Sequence, residues 1–359
     1  MDHRYRIIDA DCHVWEPTDL WDRYLEPEFR THSVGANSFV DGEKITNKIS
    51  SKLRAFNPMV QERDLLIYGI TGYDAASVAK AIRVLGAECA FLYPSIGGWL
   101  FAVDSMDAAL AGAFVRAYNS WLRDYCEFDP ALMRGVGAIN RHAPDEMVPE
   151  LRRIASFGWK AVVLRPNPIK GRLLSDPAYE PFWSECEKLN IAVGIHEGSH
   201  ARVPSTGADR FDSRFAMHAC SHPMEQMMAS LALIEGGVLE RHPGLRVAFL
   251  EAGGGWVPYW LWRLDREYHD LSWEVAETVK MKPSEYFRRQ CFVAIEPTEP
   301  YLASLIDFIG EDNIILGSDF PHPDHDPDVV KDAIKLESAL SSSTVRKLLW
   351  DNPARFYAL

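Results

Sequence analysis

Four residues of this chain have the side chains and the spacing of a metal site. Asp11 and His13 stand two residues apart at the end of an apolar run, so they share one face of a strand while Cys12 turns into the packing. His196 and Asp319 stand at the ends of two later apolar runs. Imidazole together with carboxylate suits zinc, manganese or iron, whereas all-oxygen sites suit calcium or magnesium. The sequence therefore predicts a site for one or two divalent metal ions.

Three further residues are candidate metal ligands: Glu251, His222 and Glu16. Glu251 ends another apolar run. His222 follows His218 by four residues, so on a helix the two share a face and either could reach the metal; surface histidines near a helix start are the alternative. Glu16 comes three residues after His13, but its segment, EPTDLW, is equally typical of a helix start with an early proline and acids in the first turn. Both interpretations stay open.

The candidate catalytic residues are Asp319, His196 and Arg165. We expect Asp319 to take and return a proton, and His196 to bind metal or to stabilise charge. Arg165 follows the fourth apolar run, and its guanidinium could hold a substrate carboxylate. Glu197 and Glu296 are candidate ligands, bases or ion-pair partners of Arg165, and the sequence does not separate these roles.

The elements that must position these residues are visible as eight short apolar runs that end in polar residues. We expect these runs to form strands over Arg6–Val14, Cys89–Pro94, Arg134–Ile139, Lys160–Pro166, Ile191–Glu197, Leu245–Glu251, Cys291–Pro297 and Asn313–Asp319. Amphipathic patterns between them predict helices over Ala75–Leu85, Ser105–Glu127, Pro144–Phe157, Pro177–Leu189, Met224–Arg241, Val257–His269, Glu299–Ile309, Asp326–Leu340 and Ser343–Trp350.

Eight strand–helix repeats with nearly continuous apolar strands predict an α/β fold, a parallel sheet closed into a (β/α)8 TIM barrel. A doubly wound open sheet is the alternative, but its first strand would lead into a glycine-rich phosphate loop. No second domain is evident, so residues 1–359 are predicted to form one. Two long segments interrupt the repeat, Trp15–Gly72 after the first strand and Gly198–Pro223 after the fifth, and we expect them to determine specificity.

Composition limits the partners of the protein. The 359 residues include 51 acidic and 38 basic side chains, and the net charge of −13 disfavours nucleic acid or an anionic membrane as partner. No apolar stretch approaches the roughly 18 residues of a membrane span. The six cysteines form no C-x-x-C pair, and the first residues lead directly into a strand, which predicts a cytoplasmic protein. We expect a small-molecule substrate, and tryptophan-rich outer helices would allow a homodimer.

Several motifs together carry a family resemblance. They are IDADCHVWEPTDLW, LRPNP, IHEG, FLEAGGGWVPYWLWRLD, ILGSDFPHPD and NPARFY. With them the chain resembles the amidohydrolase superfamily over residues 6–357, in particular the branch that includes aminocarboxymuconate-semialdehyde decarboxylase and the benzoate-type decarboxylases. The resemblance implies a metal-dependent TIM barrel.

The resemblance also implies roles for single residues. The family's first-strand metal pair falls on Asp11 and His13, its strand-five histidine on His196, and its strand-eight aspartate, both ligand and proton shuttle, on Asp319. Three departures are evident. The first-strand pair is usually His-x-His, the fourth strand ends in arginine where dinuclear hydrolases have a bridging lysine, and Glu251 and alanine stand where a strand-six histidine is often found. The site is therefore richer in oxygen ligands than is usual.

Two chemistries compete for this site. The first is a metal-dependent hydrolase or non-oxidative decarboxylase, in which the metal activates water or holds the substrate. The second is a nonheme iron or di-iron monooxygenase on the same barrel, since its ligand set is histidine with carboxylate and the missing lysine leaves room for a bridging acid. The aromatic residues would suit a bulky apolar or aromatic substrate. A pure binding protein on a decayed barrel is disfavoured because all four ligand positions are intact.

Overall fold

The structure is a computed structural model that describes residues 4–33, 39–40, 43–44, 62–197 and 205–359. Part of the predicted specificity segment after the first strand (residues 34–38, 41–42 and 45–61), and the first part of the one after the fifth strand (residues 198–204), lie outside the described residues. Residues 62–68 are helical, and Phe39–Val40 pairs with Glu43–Lys44 as a short antiparallel hairpin. Among the helices of the described ranges, none is both long and apolar enough to cross a membrane.

Eight parallel strands form the barrel, and each pairs with the next along the chain. They are β1 (Ile8–His13), β2 (Cys89–Tyr93), β3 (Met133–Ala138), β4 (Ala161–Leu164), β5 (Ala192–His196), β6 (Val247–Leu250), β7 (Cys291–Ile295) and β8 (Ile314–Leu316). The residues after β8 return to β1, where His13 N–H donates to Phe320 O at 2.7 Å and Asp319 N–H donates to Asp11 O at 2.8 Å. The eight predicted strands and the (β/α)8 barrel are confirmed.

Helices cover the strands as the repeat requires. They are α1 (Leu20–Tyr24), α2 (Ala75–Leu85), α3 (Ile96–Leu100), α4 (Ala108–Cys126), α5 (Pro144–Ser156), α6 (Glu180–Leu189), α7 (Arg214–Glu235), α8 (Val238–Arg241), α9 (Trp256–Leu271), α10 (Pro283–Gln290), α11 (Leu302–Ile309), α12 (Val329–Lys335), α13 (Ser342–Arg346) and α14 (Asn352–Tyr357). Single turns of 3-10 helix lie at Pro27–His32, Pro177–Tyr179 and Leu336–Ser338, and a π-helical turn lies at Lys347–Asp351.

One helix differs substantially from its prediction. The pattern predicted a start at Met224, because Pro223 removes a backbone donor and commonly marks a helix boundary. In the structure α7 begins ten residues earlier and contains Pro223. Its start is fixed by Ser213, whose hydroxyl oxygen accepts from the N–H of Ala216. The extra turns are helical, so His218 and His222 lie on one face of α7.

Packed aromatic side chains fill the barrel beneath the strand ends. Tyr93 and Tyr357 are fully buried, and their hydroxyl oxygens lie 2.9 Å apart. The Tyr357 hydroxyl also donates to Ala10 O, so the C-terminal helix α14 is tied to β1. Gly194 on β5 makes room for this layer, because a Cβ there would lie 2.5 Å from the Tyr93 hydroxyl. The polar residues above this layer are therefore supported by closely packed, buried aromatic side chains.

Candidate metal centre

Four predicted ligands converge at the carboxyl ends of the strands. The carboxylate oxygen Oδ1 of Asp11 lies 3.5 Å from His13 Nε2 and 3.4 Å from His196 Nε2. His13 Nε2 in turn lies 3.3 Å from Asp319 Oδ1. A bulge in the pairing of β1 with β2, between Asp9 and Cys12, adjusts the direction of the Asp11 side chain. Asp11, His13 and His196 thus bring ligand atoms within 4.8 Å of one another, and Asp319, more than 300 positions after Asp11, joins them through His13.

The donor atoms fit a divalent cation. Asp11 Oδ1, His13 Nε2, His196 Nε2 and Asp319 Oδ2 are buried and have no hydrogen-bond partner among the described residues. A buried polar atom without a partner costs about 1–3 kcal/mol, so four of them facing one another need an explanation. A cation ligated by two imidazole nitrogens and two carboxylate oxygens would satisfy them all, and this donor set suits manganese, iron or zinc.

The tautomer of His13 is set by the hydrogen bond of its Nδ1 atom. His13 Nδ1 lies 3.1 Å from Pro94 O, which can accept only, so Nδ1 carries the hydrogen and Nε2 presents its lone pair to the centre. Such an orienting hydrogen bond is common behind metal-bound histidines. The structure therefore presents His13 in the form in which it can ligate a cation.

His322 is a site residue that the predicted ligand set omits. Its Nδ1 lies 2.7 Å from Asp319 Oδ1, and its Nε2 lies 2.7 Å from the Ser95 hydroxyl oxygen. Its ring also lies against His13, with the centroids 4.0 Å apart. The signal in the sequence is its place three residues after Asp319 in ILGSDFPHPD. His322 thus fixes Asp319 through Oδ1, while Oδ2 is buried and has no hydrogen-bond partner among the described residues.

Two of the carboxylates stand on unusual backbone. Glu251, directly after β6, has φ +52°, and Asp319 has φ +54°. These values lie in the left-handed region, which costs a non-glycine residue on the order of 1–3 kcal/mol and is concentrated at functional sites. Both side chains are largely buried. The backbone is thus held in a costly conformation at the two positions that direct carboxylates into the centre.

Glu251 and His222 lie beside the first group. Glu251 Oε2 is 3.5 Å from His196 Nε2, and Glu251 Oε1 is 3.4 Å from His222 Nε2. His218 stacks on His222 with ring centroids 4.2 Å apart, and its Nε2 lies 2.9 Å from Asp324 Oδ2. The structure thus places Glu251 beside His196, and His222 beside Glu251, while their role as metal ligands stays a prediction.

Glu16 is placed differently. Its carboxylate accepts the backbone N–H groups of Ser95, Ile96 and Gly97, each at 3.0 Å, at the start of α3. Both of its oxygens are engaged in this way, and Glu16 is in none of the three groups of potential ligands that the described residues form. The structure thus does not join Glu16 to the other predicted ligands.

Arg165 and Glu197 form a buried ion pair. Arg165 Nη2 donates to Glu197 Oε1 at 3.1 Å, and Glu197 Oε2 lies 4.0 Å from His222 Nδ1. Of the roles considered for Glu197, the structure shows that of an ion-pair partner. Glu296 lies apart from this pair, in the lining of the pocket.

Burial and charge set the protonation of the metal-free centre. Burial alone would lower the pKa of His196, but the charges of Asp11 and Glu251 outweigh it and raise the pKa to about 9. The pKa of His222 is likewise raised to about 9, by Glu251 against the effect of burial. Burial and the Glu251 charge hold the pKa of Asp319 well above its usual range. A metal ion that binds here must displace the protons of the histidines.

A pocket of about 210 Å³ opens onto the centre. Asp11, Glu251, Asp319, His218 and Asp324 are among the residues that line it. Residues 294–298 and Val329 are also part of the lining. The pocket has room for a small organic molecule next to the ligand atoms.

The chain is similar to known proteins over its whole length. The amidohydrolase family model matches residues 8–359. A 2-amino-3-carboxymuconate-6-semialdehyde decarboxylase of Dictyostelium discoideum is 28% identical over 266 residues, which cover 73% of this chain and 70% of that protein. An amidohydrolase from Mycobacterium avium subsp. paratuberculosis superimposes with a TM-score of 0.79 at 21% identity, over 99% of this chain and 100% of that one.

A further solved structure holds a metal. It is a dihydroxybenzoic acid decarboxylase from a Polaromonas species with bound manganese and the inhibitor 2-nitroresorcinol. It matches 99% of this chain and 97% of its own with a TM-score of 0.69 and 17% identity, a likeness that shows the shared fold. Family match, barrel and converging ligands agree: this chain belongs to the amidohydrolase family of enzymes.

Proposed function

We propose that the protein is a metal-dependent, non-oxidative decarboxylase of a small aromatic or unsaturated carboxylic acid. The observation that carries the proposal is the cluster of four unpartnered buried ligand atoms at the open end of a barrel. The relative and the structural neighbour that are named by their reaction are decarboxylases, and one of them holds manganese. These facts favour decarboxylation over hydrolysis and over oxygenation.

Asp11, His13, His196 and Asp319 would hold the metal. When bound, a divalent cation supplies Lewis acidity and a fixed positive charge for a substrate carboxylate and an adjacent hydroxyl or carbonyl oxygen. These residues are rigidly placed, because β1 and β5 are buried strands and His13 is oriented by Pro94 O. Such preorganisation avoids the cost of rearranging the site during the reaction.

The reaction exchanges carbon dioxide for a proton. The bond between the carboxylate carbon and the substrate carbon breaks, its electron pair stays on the substrate carbon, and that carbon takes a proton. We assign delivery of this proton to Asp319, because its carboxyl group lies beside His13 and His322 fixes its orientation through Oδ1. A positioned acid of this kind contributes about 10²–10⁴-fold to rate.

The predicted role of Arg165 as a carboxylate clamp stays a prediction. Its guanidinium is paired with the buried Glu197, which compensates its charge. We expect Arg165 to hold Glu197 beside His222 in addition to any contact with substrate. The homodimer, the cytoplasmic location and the single domain also stay predictions.

The test is turnover by metal-reloaded protein. Chelator-stripped protein is reloaded with manganese, zinc or iron and incubated, with and without oxygen, with hydroxybenzoates that carry a carboxylate next to a hydroxyl. We expect metal-dependent release of carbon dioxide without oxygen, and in D₂O one deuterium on the carbon that lost the carboxylate. Oxygen consumption with hydroxylated product would instead establish the oxygenase, and hydrolysis of esters or amides without carbon dioxide release would establish the hydrolase.

A further inference from the structure

Glu251 directs its two carboxylate oxygens to two different groups of ligand atoms. Oε2 lies 3.5 Å from His196 Nε2 in the first group, and Oε1 lies 3.4 Å from His222 Nε2 on α7. The side chain is largely buried and starts from left-handed backbone, so its direction is constrained. A carboxylate in this position can bridge two cations.

A second set of ligand atoms stands on the far side of Glu251. His218 and His222 are four residues apart on α7, and their ligand atoms lie within 4.8 Å of each other and of a Glu251 oxygen. Asp324 adds a carboxylate, with Oδ2 at 2.9 Å from His218 Nε2. Two imidazoles from one helix face and two carboxylates again form a donor set for manganese, iron or zinc.

We propose that His218, His222, Asp324 and the shared Glu251 bind a second divalent cation beside the first. The site uses a helix after β5 and the segment after β8, and three of its ligands, His218, Glu251 and Asp324, line the pocket that opens onto the first group. The proposal rests on the proposed function, since Glu251 connects the two cations. It makes the metal centre dinuclear, with a bridging carboxylate in place of a bridging lysine.

The charge of the pocket supports a second cation. Seven carboxylate side chains line the pocket, since Glu296, Asp326 and Asp332 add to Asp11, Glu251, Asp319 and Asp324. Carboxylates at this density repel an anionic substrate, and one divalent ion offsets only two of the charges. A second divalent ion next to Glu251 offsets two more of these charges.

The test counts metal ions without substrate. Full-length protein is stripped with a chelator and titrated with Mn²⁺ alone, and bound metal is measured by equilibrium dialysis and elemental analysis. We expect two ions per wild-type chain, with an electron paramagnetic resonance signal of two exchange-coupled manganese ions. In His218→Ala we expect one ion and the signal of an isolated manganese. His269→Ala is the matched control, because His269 is also a histidine on a helix beside an aspartate, Asp270, but is exposed.

Asp324→Asn serves as a second variant if His218→Ala is poorly folded, and it should likewise bind one ion. One ion in wild-type protein, or two retained in both variants, would overturn the second site and leave the first intact. No bound ion in wild-type protein would overturn the proposed function as well. The one-ion result is the one expected if these contacts are only ion pairs, of His218 with Asp324 and of His222 with Glu251.

Discussion

At the scale of single residues, the centre depends on which atom of each side chain is already engaged. Pro94 O takes one nitrogen of His13, and His322 takes one oxygen of Asp319. In each case the remaining atom is buried and has no hydrogen-bond partner among the described residues. The ordinary hydrogen bonds of these side chains thus decide which atoms are available for a cation or a proton.

Asp319→Asn should abolish turnover without unfolding the protein. The amide keeps the size of the side chain and an oxygen for His322, but it cannot hold and return a proton as a carboxyl group does. We expect kcat to fall by about 10²-fold or more while the thermal midpoint stays close to that of wild type. Asp328→Asn, at an exposed position, is the control. Full activity of the Asp319 variant would refute its role.

His13→Ala should lose the first metal ion. His13 is fully buried, and its Nε2 lies close to carboxylate oxygens of both Asp11 and Asp319. Alanine removes this nitrogen, and β1 has no second histidine that could take its place. Elemental analysis after dialysis should show one ion fewer per chain than in wild type. His32→Ala, in an exposed turn, should keep the wild-type content. Unchanged metal content in the His13 variant would remove it from the ligand set.

At the scale of elements, the short segments that follow the strands contribute site residues and supporting contacts that the hydrophobic pattern does not predict. Helix α7 continues through Pro223, and this extension places two histidines against the centre. Helix α3 is only five residues long, and its first N–H groups are held by Glu16 from the segment after β1. A carboxylate that resembles a metal ligand in sequence thus has a structural partner in the fold.

Glu16→Gln tests this assignment. The glutamine NH₂ group cannot accept a hydrogen bond, so at least one backbone N–H at the start of α3 loses its partner in a buried place. We expect the free energy of unfolding to fall by about 1–3 kcal/mol, with unchanged metal content. Chemical denaturation and elemental analysis measure the two quantities, and Glu28→Gln, which is exposed, is the control. Loss of a metal ion would return Glu16 to the ligand set.

At the scale of the whole molecule, the seam where the barrel closes lies directly beneath the centre. The carboxylate of Asp9 accepts the N–H and the hydroxyl of Ser318, and burial raises the pKa of Asp9 to about 7. Next to this seam, His325 Nδ1 donates to Ser318 O, and Nε2 accepts from the Tyr68 hydroxyl. Stability and site geometry therefore depend on the same contacts between the first and the last strand.

Because His325 is buried, we expect the free energy of unfolding to decrease as the pH falls below neutral. Burial lowers its pKa to about 4, from 6.5 in the unfolded chain. Between these values the unfolded chain binds a proton that the folded chain does not, so stability is full above pH 6.5 and falls as the pH falls towards 4. The loss approaches about 3 kcal/mol at 1.36 kcal/mol per pKa unit.

The measurement is the urea midpoint of metal-loaded protein between pH 7.5 and pH 4.5. His325→Gln should show a smaller loss of stability in acid than wild type, because its side chain does not titrate. His32→Gln, an exposed histidine, should follow wild type. An unchanged pH dependence in the His325 variant would contradict the assignment.

The sequence alone determined the alternation of strands and helices, the barrel, and four candidate ligand positions that the structure brings close together. These features depend on local sequence patterns, since apolar runs end near Asp11, His196 and Asp319. Parallel strands of a barrel then bring their carboxyl ends to one rim. The motif resemblance added the family, which the family model confirms over residues 8–359.

Only the tertiary structure decided which polar residues share a point in space. The sequence left Glu16 open between a ligand and a helix start, and the fold directs its oxygens to the backbone of α3. His322 appears as a neighbour of Asp319 only once its ring is seen between Asp319 and Ser95. The bridging position of Glu251 depends on the distance between β5 and α7. Such distances depend on barrel closure and side-chain packing, which no local pattern encodes.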